Sequence, residues 1–335
     1  MSDVHGTLQD QVFCGAGAGA GKVAAPLAPD FRGAVGHPVN DLADADEWIV
    51  QFVRPLKRAF AVLQRHPLVA LREGGAGAAD SAWEFGTGYL VGHFDAPLFG
   101  IPAHRRTAYL RYTEMLRLDG GSIAEWYLLP DFIDLMDQVG VNPLRPALGA
   151  AGRILPPRTL DGLYPGGDGS ASTARVLSML EELGRYDGRR LDSMDLAAYW
   201  APDFLWYGPG GIGTTRGIAG FRRHHQGPFL RAFPDRVVDH HVATIGAGAF
   251  AATGGWPHMH ATHSGPGWLG LPATGSRLEL RVMDIWRCDG DRLAENWVGI
   301  DIPHMLHQMG LDLFEQMRCL VTSWPPDPVG NPGQG

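Results

Sequence analysis

Apolar and polar positions alternate along 281–300 and then switch to helical spacing, and this switch organises the end of the chain. Residues 281–288 are rich in β-branched and aromatic side chains, Asp289-Gly290 is a strong hairpin signal, and 293–300 reads as the partner strand. Asp301 stands where that strand ends. Ile302, Met305, Leu306 and Met309 then recur at helical spacing, and Gly310 supplies a stop. Further upstream, 44–71 reads as an amphipathic helix through Trp48, Phe52, Leu56, Phe60 and Leu63, bent or broken at Pro55. Residues 83–92, 109–118 and 123–129 read as strands. In the second half the pattern predicts helices near 173–185 and 194–200 and a strand running into a turn at 206–213. A helix at 218–233 and strands at 237–245, 250–262 and 278–288 follow.

The pattern occurs twice. Displaced by 170 positions, 93–140 and 263–310 align without a gap with 14 of 48 pairs identical, where roughly three would follow from ordinary composition. The shared residues include His93/His263, Gly100/Gly270, Pro102/Pro272, Arg111/Arg281, Asp119/Asp289, Gly120/Gly290, Glu125/Glu295, Asp131/Asp301 and Gln138/Gln308. Glu114/Asp284 and Tyr127/Trp297 are conservative pairs. At a slightly different offset, 55–60 matches 228–233. A period this long means two domains, not a solenoid.

The recurring string G-[IL]-P-A, a strand, R-x-D-G, A-E, an aromatic residue, Asp four positions on, and Q-x-G resembles the SnoaL-like polyketide cyclase branch of the NTF2-like superfamily. The stretch 289–310, with Asp289-Gly290, Glu295-Asn296-Trp297, Asp301 and Gln308-Met309-Gly310, is its most specific part. The resemblance implies an α+β fold: two tandem cone-shaped barrels, each a curved antiparallel sheet closed by N-terminal helices. It also implies that Asp301 is a general acid/base in an aldol-type ring closure, with Asp131 as its twin.

Composition sets the limits. The 335 residues are 45% apolar, enough for two cores of ordinary size. A net charge of −8 without a basic run gives no nucleic-acid footprint. No apolar stretch reaches membrane-span length, the first 30 residues lack a signal-peptide pattern, and the three scattered cysteines suit a reducing compartment, so the expectation is a cytoplasmic protein. Residues 1–36 read as a flexible tail. Their Gly/Ala run at 15–22 mimics a phosphate loop but lacks its spacing and its Ser/Thr. Residues 37–145 form a first domain, expected to be a shortened copy lacking a counterpart of 199–213. Residues 146–172 form a Pro/Gly-rich linker, 173–325 a second domain with the better pocket, and 326–335 a tail.

A two-residue Asp-Gly turn would place 284 opposite 295 and 282 opposite 297. Asp284, Glu295, Trp297 and Asp301 would then share one face, where burial and like charge raise carboxyl pKa values into a range useful for catalysis. A one-residue bulge would exchange that set for Arg281, Met283, Ile285 and Arg287. Asp301 and Asp131 are also good helix N-caps. Arg281 and Arg111 are expected to pair with Asp284 and Glu114. Their three-residue spacing puts Arg281 and Asp284 on opposite faces, against an epoxide-hydrolase arrangement.

The candidate catalytic set is thus Asp301, His263 and Asp284, with Asp131, His93 and Glu114 as counterparts in the first copy. Trp206, Tyr207, His225, Trp256, His258, His260, Trp268 and Trp297 are the candidate substrate-binding residues. His258 and His260 share a strand face but lack a nearby Glu, so neither a metal nor another cofactor is expected. The partner expected is a small hydrophobic molecule, with no nucleic acid or membrane. The two halves would pack as an internal pseudo-dimer, open to further homo-oligomerisation. Two functions fit: cofactor-free acid/base catalysis (cyclisation, isomerisation or dehydration) on a hydrophobic or polyketide-like carbonyl compound, or a non-catalytic binding module with an acid-free cavity and Asp301 tied to helix amides.

Overall fold

The computed structural model describes residues 7–14, 24–74 and 81–322. Each half of the chain builds one strongly curved sheet, closed at its concave side by helices. In the first half β1 (Leu27–Val35), β2 (Asn40–Leu42), β3 (Phe60–Arg72), β4 (Ser81–Phe94), β5 (Thr107–Asp119) and β6 (Ser122–Pro130) lie in the order β2-β1-β6-β5-β4-β3. In the second, β7 (Trp200–Tyr207), β8 (Thr215–Arg216), β10 (Ala243–Ala247), β11 (Phe250–Thr262), β12 (Arg277–Asp289) and β13 (Arg292–Ile300) give the order β10-β11-β12-β13-β7-β8. The short β9 (Val237–Val238) pairs beside β11. The long strands are antiparallel, and each sheet carries one parallel pair, β1 with β6 and β7 with β13. This is the α+β architecture of two cones in tandem.

Both hairpins that organise the repeat carry the same irregularity. Asp289 pairs with Arg292 and Cys288 with Leu293, but Arg287 pairs with Glu295, so Ala294 is bulged out. In the first half Leu118 pairs with Ile123 and Arg117 with Glu125, which bulges Ala124. A bulge moves every following side chain to the other face. Asp284 therefore lies opposite Val298, Trp297 opposite Ile285, and the expected pairing of 284 with 295 does not form. Asp284 keeps company with Asn296 on the concave face, while Glu295 and Trp297 join Met283, Ile285 and Arg287 on the convex one.

The convex faces meet. Val69, Leu71, Phe85, Met115 and Leu129 of the first sheet pack with Ile245, Phe250, Met283, Ile285 and Trp297 of the second in one buried cluster. Arg111 crosses this junction and donates to the carbonyls of Tyr207 at 2.9 Å, Gly208 at 2.7 Å and Val298 at 2.9 Å.

Several expected elements change. The helix predicted over 44–71 is three short helical pieces, Ala45–Trp48, Ile49–Val53 (a π turn) and Arg54–Ala59, after which Phe60 turns extended and β3 begins. Pro55 lies inside this continuous helical run, directly after the π turn, whose wider spacing accommodates the missing N–H. The supposed tail contains a helix, Leu8–Cys14, and the strand β1, so the first domain starts well before residue 37. Because β1 pairs with β6 as β7 pairs with β13, it is the counterpart of 199–213 that the first half was expected to lack. The predicted helix at 194–200 is a 3-10 turn, Leu196–Ala198, running into β7, and the strand at 237–245 is broken into β9 and the start of β10. The Gly/Ala run at 15–22 and the tail at 326–335 lie outside the described residues.

Candidate functional site

In the second half the concave face of β11–β13 does not meet the helices above it, and a cavity of about 680 Å³ remains. Its floor is Leu280, Val282, Asp284 and Trp286 of β12 with Asn296, Val298 and Ile300 of β13. The helix Ser170–Leu183, the helical run from Gly217 to Ala232 and β9 supply the walls. In the first half the corresponding space is filled. Trp126 occupies the position equivalent to Asn296, stacks on Trp48 at 5.0 Å between centroids, and meets Phe13 of the N-terminal helix edge-on at 5.1 Å. One indole in place of one amide, plus the helix Leu8–Cys14, accounts for much of the difference.

The acidic pair that faces these interiors differs in the same way. Glu114 is fully buried, bonded by Arg65 and by the indole N–H of Trp126 at 3.0 Å. Asp284 has Asn296 as its hydrogen-bond partner, at 3.1 Å, and the same amide nitrogen donates to Ile285 O at 3.1 Å, which fixes its orientation. Removal from bulk water pushes the Asp284 carboxyl up to about 7, opposed only by the Asn296 bond. The loss of the arginine has a structural source. Arg65 pairs with Leu90, which pairs with Leu110; in the second half Leu280, the counterpart of Leu110, pairs with Met259, and Met259 with Val238.

Further polar groups line the chamber. His225 stacks on Trp206 at 4.1 Å; burial and, second, the charge of Arg236 lower it to about 3. His258 is bonded to His241 at 2.8 Å and burial lowers it to about 4. Both are neutral imidazoles at physiological pH. Trp200 and Gln226 also line the chamber, and Trp200 Nε1, Gln226 Oε1 and His225 Nδ1 are buried without a hydrogen-bond partner among the described residues.

Of the residues singled out from sequence, Asp284, Trp206, His225 and His258 line this cavity. The others lie elsewhere. Asp301 is 3% exposed at the junction of the halves: it caps the helix Ile302–Gln308 by accepting from His304 N at 3.1 Å, accepts from His37 N at 3.1 Å, and pairs with Arg281 at 3.1 Å. Its oxygens are occupied, and Arg281 therefore partners Asp301 and not Asp284. Asp131 repeats the arrangement, capping Phe132–Val139 and accepting from Gly210 N at 2.7 Å. Each half thus reaches across to the other's cap. Arg111 follows Asp131 at 3.9 Å and does not pair with Glu114.

His263 is buried against Phe233 and bonded to Thr274, while its twin His93 is exposed. Trp268 flanks a separate, minute void of about 10 Å³. Tyr207 and Trp297 stack at 5.4 Å within the packing between the sheets, Trp297 also donating to Leu155 O. Trp256 donates to Asp41, and Arg281 lies over its ring. His260 pairs with Asp239 and is not among the residues lining the cavity. Among the described residues no three His, Cys, Asp or Glu side chains gather as a metal site. Sequence reasoning missed Asn296, Gln226 and Arg236 as lining residues. The sequence does hold a signal for the first: a small amide stands where the other copy has a tryptophan.

A family model described as a SnoaL-like domain matches residues 179–296, the segment that builds most of the cavity. No curated protein matches the chain. Among solved structures, IdmH from Streptomyces antibioticus, described as a candidate polyketide cyclase, is 23% identical with a TM-score of 0.33, covering 42% of this chain and 99% of its own. AclR from Streptomyces galilaeus, a candidate hydroxylase, is 22% identical with a TM-score of 0.34, covering 43% and 87%. A candidate SnoaL-like polyketide cyclase from Jannaschia sp. CCS1 is 18% identical with a TM-score of 0.35, covering 43% and 97%.

Proposed function

We propose that the second half, whose residues 179–296 match the model of a SnoaL-like domain, is an acid/base enzyme acting on a hydrophobic carbonyl compound, with Asp284 as the proton carrier. The observation that carries this is a buried carboxyl in a large, mostly apolar chamber, held at about 7 by burial and bonded to one amide, with the other lining carboxyl, Glu181, exposed. A base at that value is half ionised at neutral pH, where proton transfer is most effective. The ionised carboxylate takes a proton from the carbon beside the carbonyl, giving an enolate and a protonated Asp284. Returning the proton to a different carbon isomerises the compound. Attack of the enolate carbon on a second carbonyl closes a ring, and the resulting alkoxide takes the proton back. We assign Trp200 and the neutral His225, which line the same cavity as Asp284, to the enolate oxygen.

The non-catalytic reading required Asp301 to be tied to helix amides and the cavity to lack an acid. The first condition matches the geometry of Asp301. Asp284 is the reason to favour catalysis. The proposed step uses the chain's own residues alone.

Deuterium exchange at the carbon beside the carbonyl of a panel of aryl ketones in heavy water, followed by proton NMR, tests the step without knowledge of the natural product. The wild-type protein should exceed buffer by roughly 10²–10⁴-fold, and Asp284→Asn should return to background while still binding the ketone. No exchange by the wild type, or unchanged exchange in Asp284→Asn, would refute the assignment.

A further inference from the structure

The chamber contains one full positive charge that no described carboxylate neutralises. Arg236 lines the cavity at its β9 side. One N–H donates to Leu183 O at 2.9 Å, in the last turn of the helix Ser170–Leu183, and the guanidinium lies 5.9 Å from the ring of Tyr186. Burial lowers its pKa, and Tyr186 is the group that acts in the opposite direction; no acid contributes. A guanidinium offers five donors in a planar fork, so most remain for another acceptor. Its field reaches the interior, where it is the second influence, after burial, holding His225 neutral.

The other groups do not offset this charge. His225 and His258 are neutral, Asp284 is only partly ionised at neutral pH, and Glu181 is exposed at the rim. An isolated cation in an apolar surround is costly, and an anion brought alongside it relieves the cost through charge-assisted, bidentate hydrogen bonds. The aromatic floor and walls, Trp206 and Trp286 among them, would cover the apolar body of the same molecule.

We propose that the cavity selects carbonyl compounds that also carry a carboxylate, and that Arg236 is the positioning residue that docks it and so determines which carbon is presented to Asp284. This rests on the reading of the cavity as a substrate site and adds the substrate class.

Calorimetric binding of 6-acetyl-2-naphthoate and of its methyl ester at neutral pH tests it. The wild type should prefer the acid by about tenfold or more, and Arg236→Gln should bring the two within about twofold while leaving the ester's affinity in place. Arg236→Lys should keep part of the preference, and added salt should weaken the acid's binding to the wild type but not the ester's. Equal affinities in the wild type, a preference that survives in Arg236→Gln, or salt-insensitive binding of the acid would each overturn the proposal. Should Arg236→Gln fail to fold, the salt response of the wild type decides alone. Preference for the acid without deuterium exchange would sink the catalytic reading and leave the anion site standing; exchange with no preference does the reverse. Binding of neither compound overturns both.

Discussion

Asp284 and Asp301 are carboxyls of the same hairpin with opposite surroundings, and their replacement should have opposite effects. The folded chain holds the Asp284 proton up to about 7 against an ordinary value of 3.8. Its contribution to stability is therefore fully present below about pH 4 and is lost as pH rises through 7. Asp284→Asn should gain stability over the wild type across that window and level off above it, by on the order of 2–4 kcal/mol, measured by urea unfolding at a series of pH values. A pH-independent difference would show that the carboxyl is ordinarily solvated. Asp301→Ala should lose roughly 3–5 kcal/mol, because it strands a buried Arg281 and removes a helix cap. A soluble Asp301→Ala protein with wild-type stability would contradict that role. At this scale the sequence showed which residues were acidic and repeated, and the capping alternative for Asp301 was legible in its position before Ile302-Pro303. Which acid faces a cavity was not, since it depends on a one-residue parity.

That parity belongs to the hairpin. The repeat shows the strand, turn and strand plainly, because Asp119-Gly120 and Asp289-Gly290 demand a tight turn. Bulged alanines at 124 and 294 carry no comparable signature: alanine is only mildly disfavoured in a strand and nothing in its chemistry marks an unpaired position. Deleting Ala294 should force Trp297 and Glu295 toward the cavity and Asn296 toward the sheet junction, so the protein should lose cooperative unfolding or become insoluble. A deletion variant that folds with normal stability would show that the bulge is dispensable. The loop that reaches the other half is equally exacting. A methyl group on Gly210 would come within 2.6 Å of Asp131 Oδ1 and 2.7 Å of Asp134 N, so Gly210→Ala should cost roughly 1–3 kcal/mol by overpacking, read from the denaturation midpoint.

Across the whole molecule, duplication has produced one hollow cone and one filled cone joined back to back. The repeat at a 170-residue offset made two related sheets legible, and the Asn296/Trp126 exchange distinguished them in principle. The mutual capping of Asp131 by Gly210 N and Asp301 by His37 N was not legible, since it links segments far apart in sequence. With Met283, Ile285 and Trp297 buried against the first sheet, a fragment of residues 146–335 should expose that face and self-associate in sedimentation experiments; a stable, soluble monomer would argue that the halves are independent. The proposed chemistry requires the hollow half to hold a proton-exchanging acid. Carbon-13 NMR titration of the side-chain carboxyls, comparing the wild type with Asp284→Asn, should show a resonance with a midpoint near 7 that disappears in the variant, beside that of Asp134, which burial also raises to about 7 and which the substitution leaves in place. If the resonance lost in Asp284→Asn instead titrates near 4, the chamber has no usable acid at neutral pH and the proposed chemistry fails.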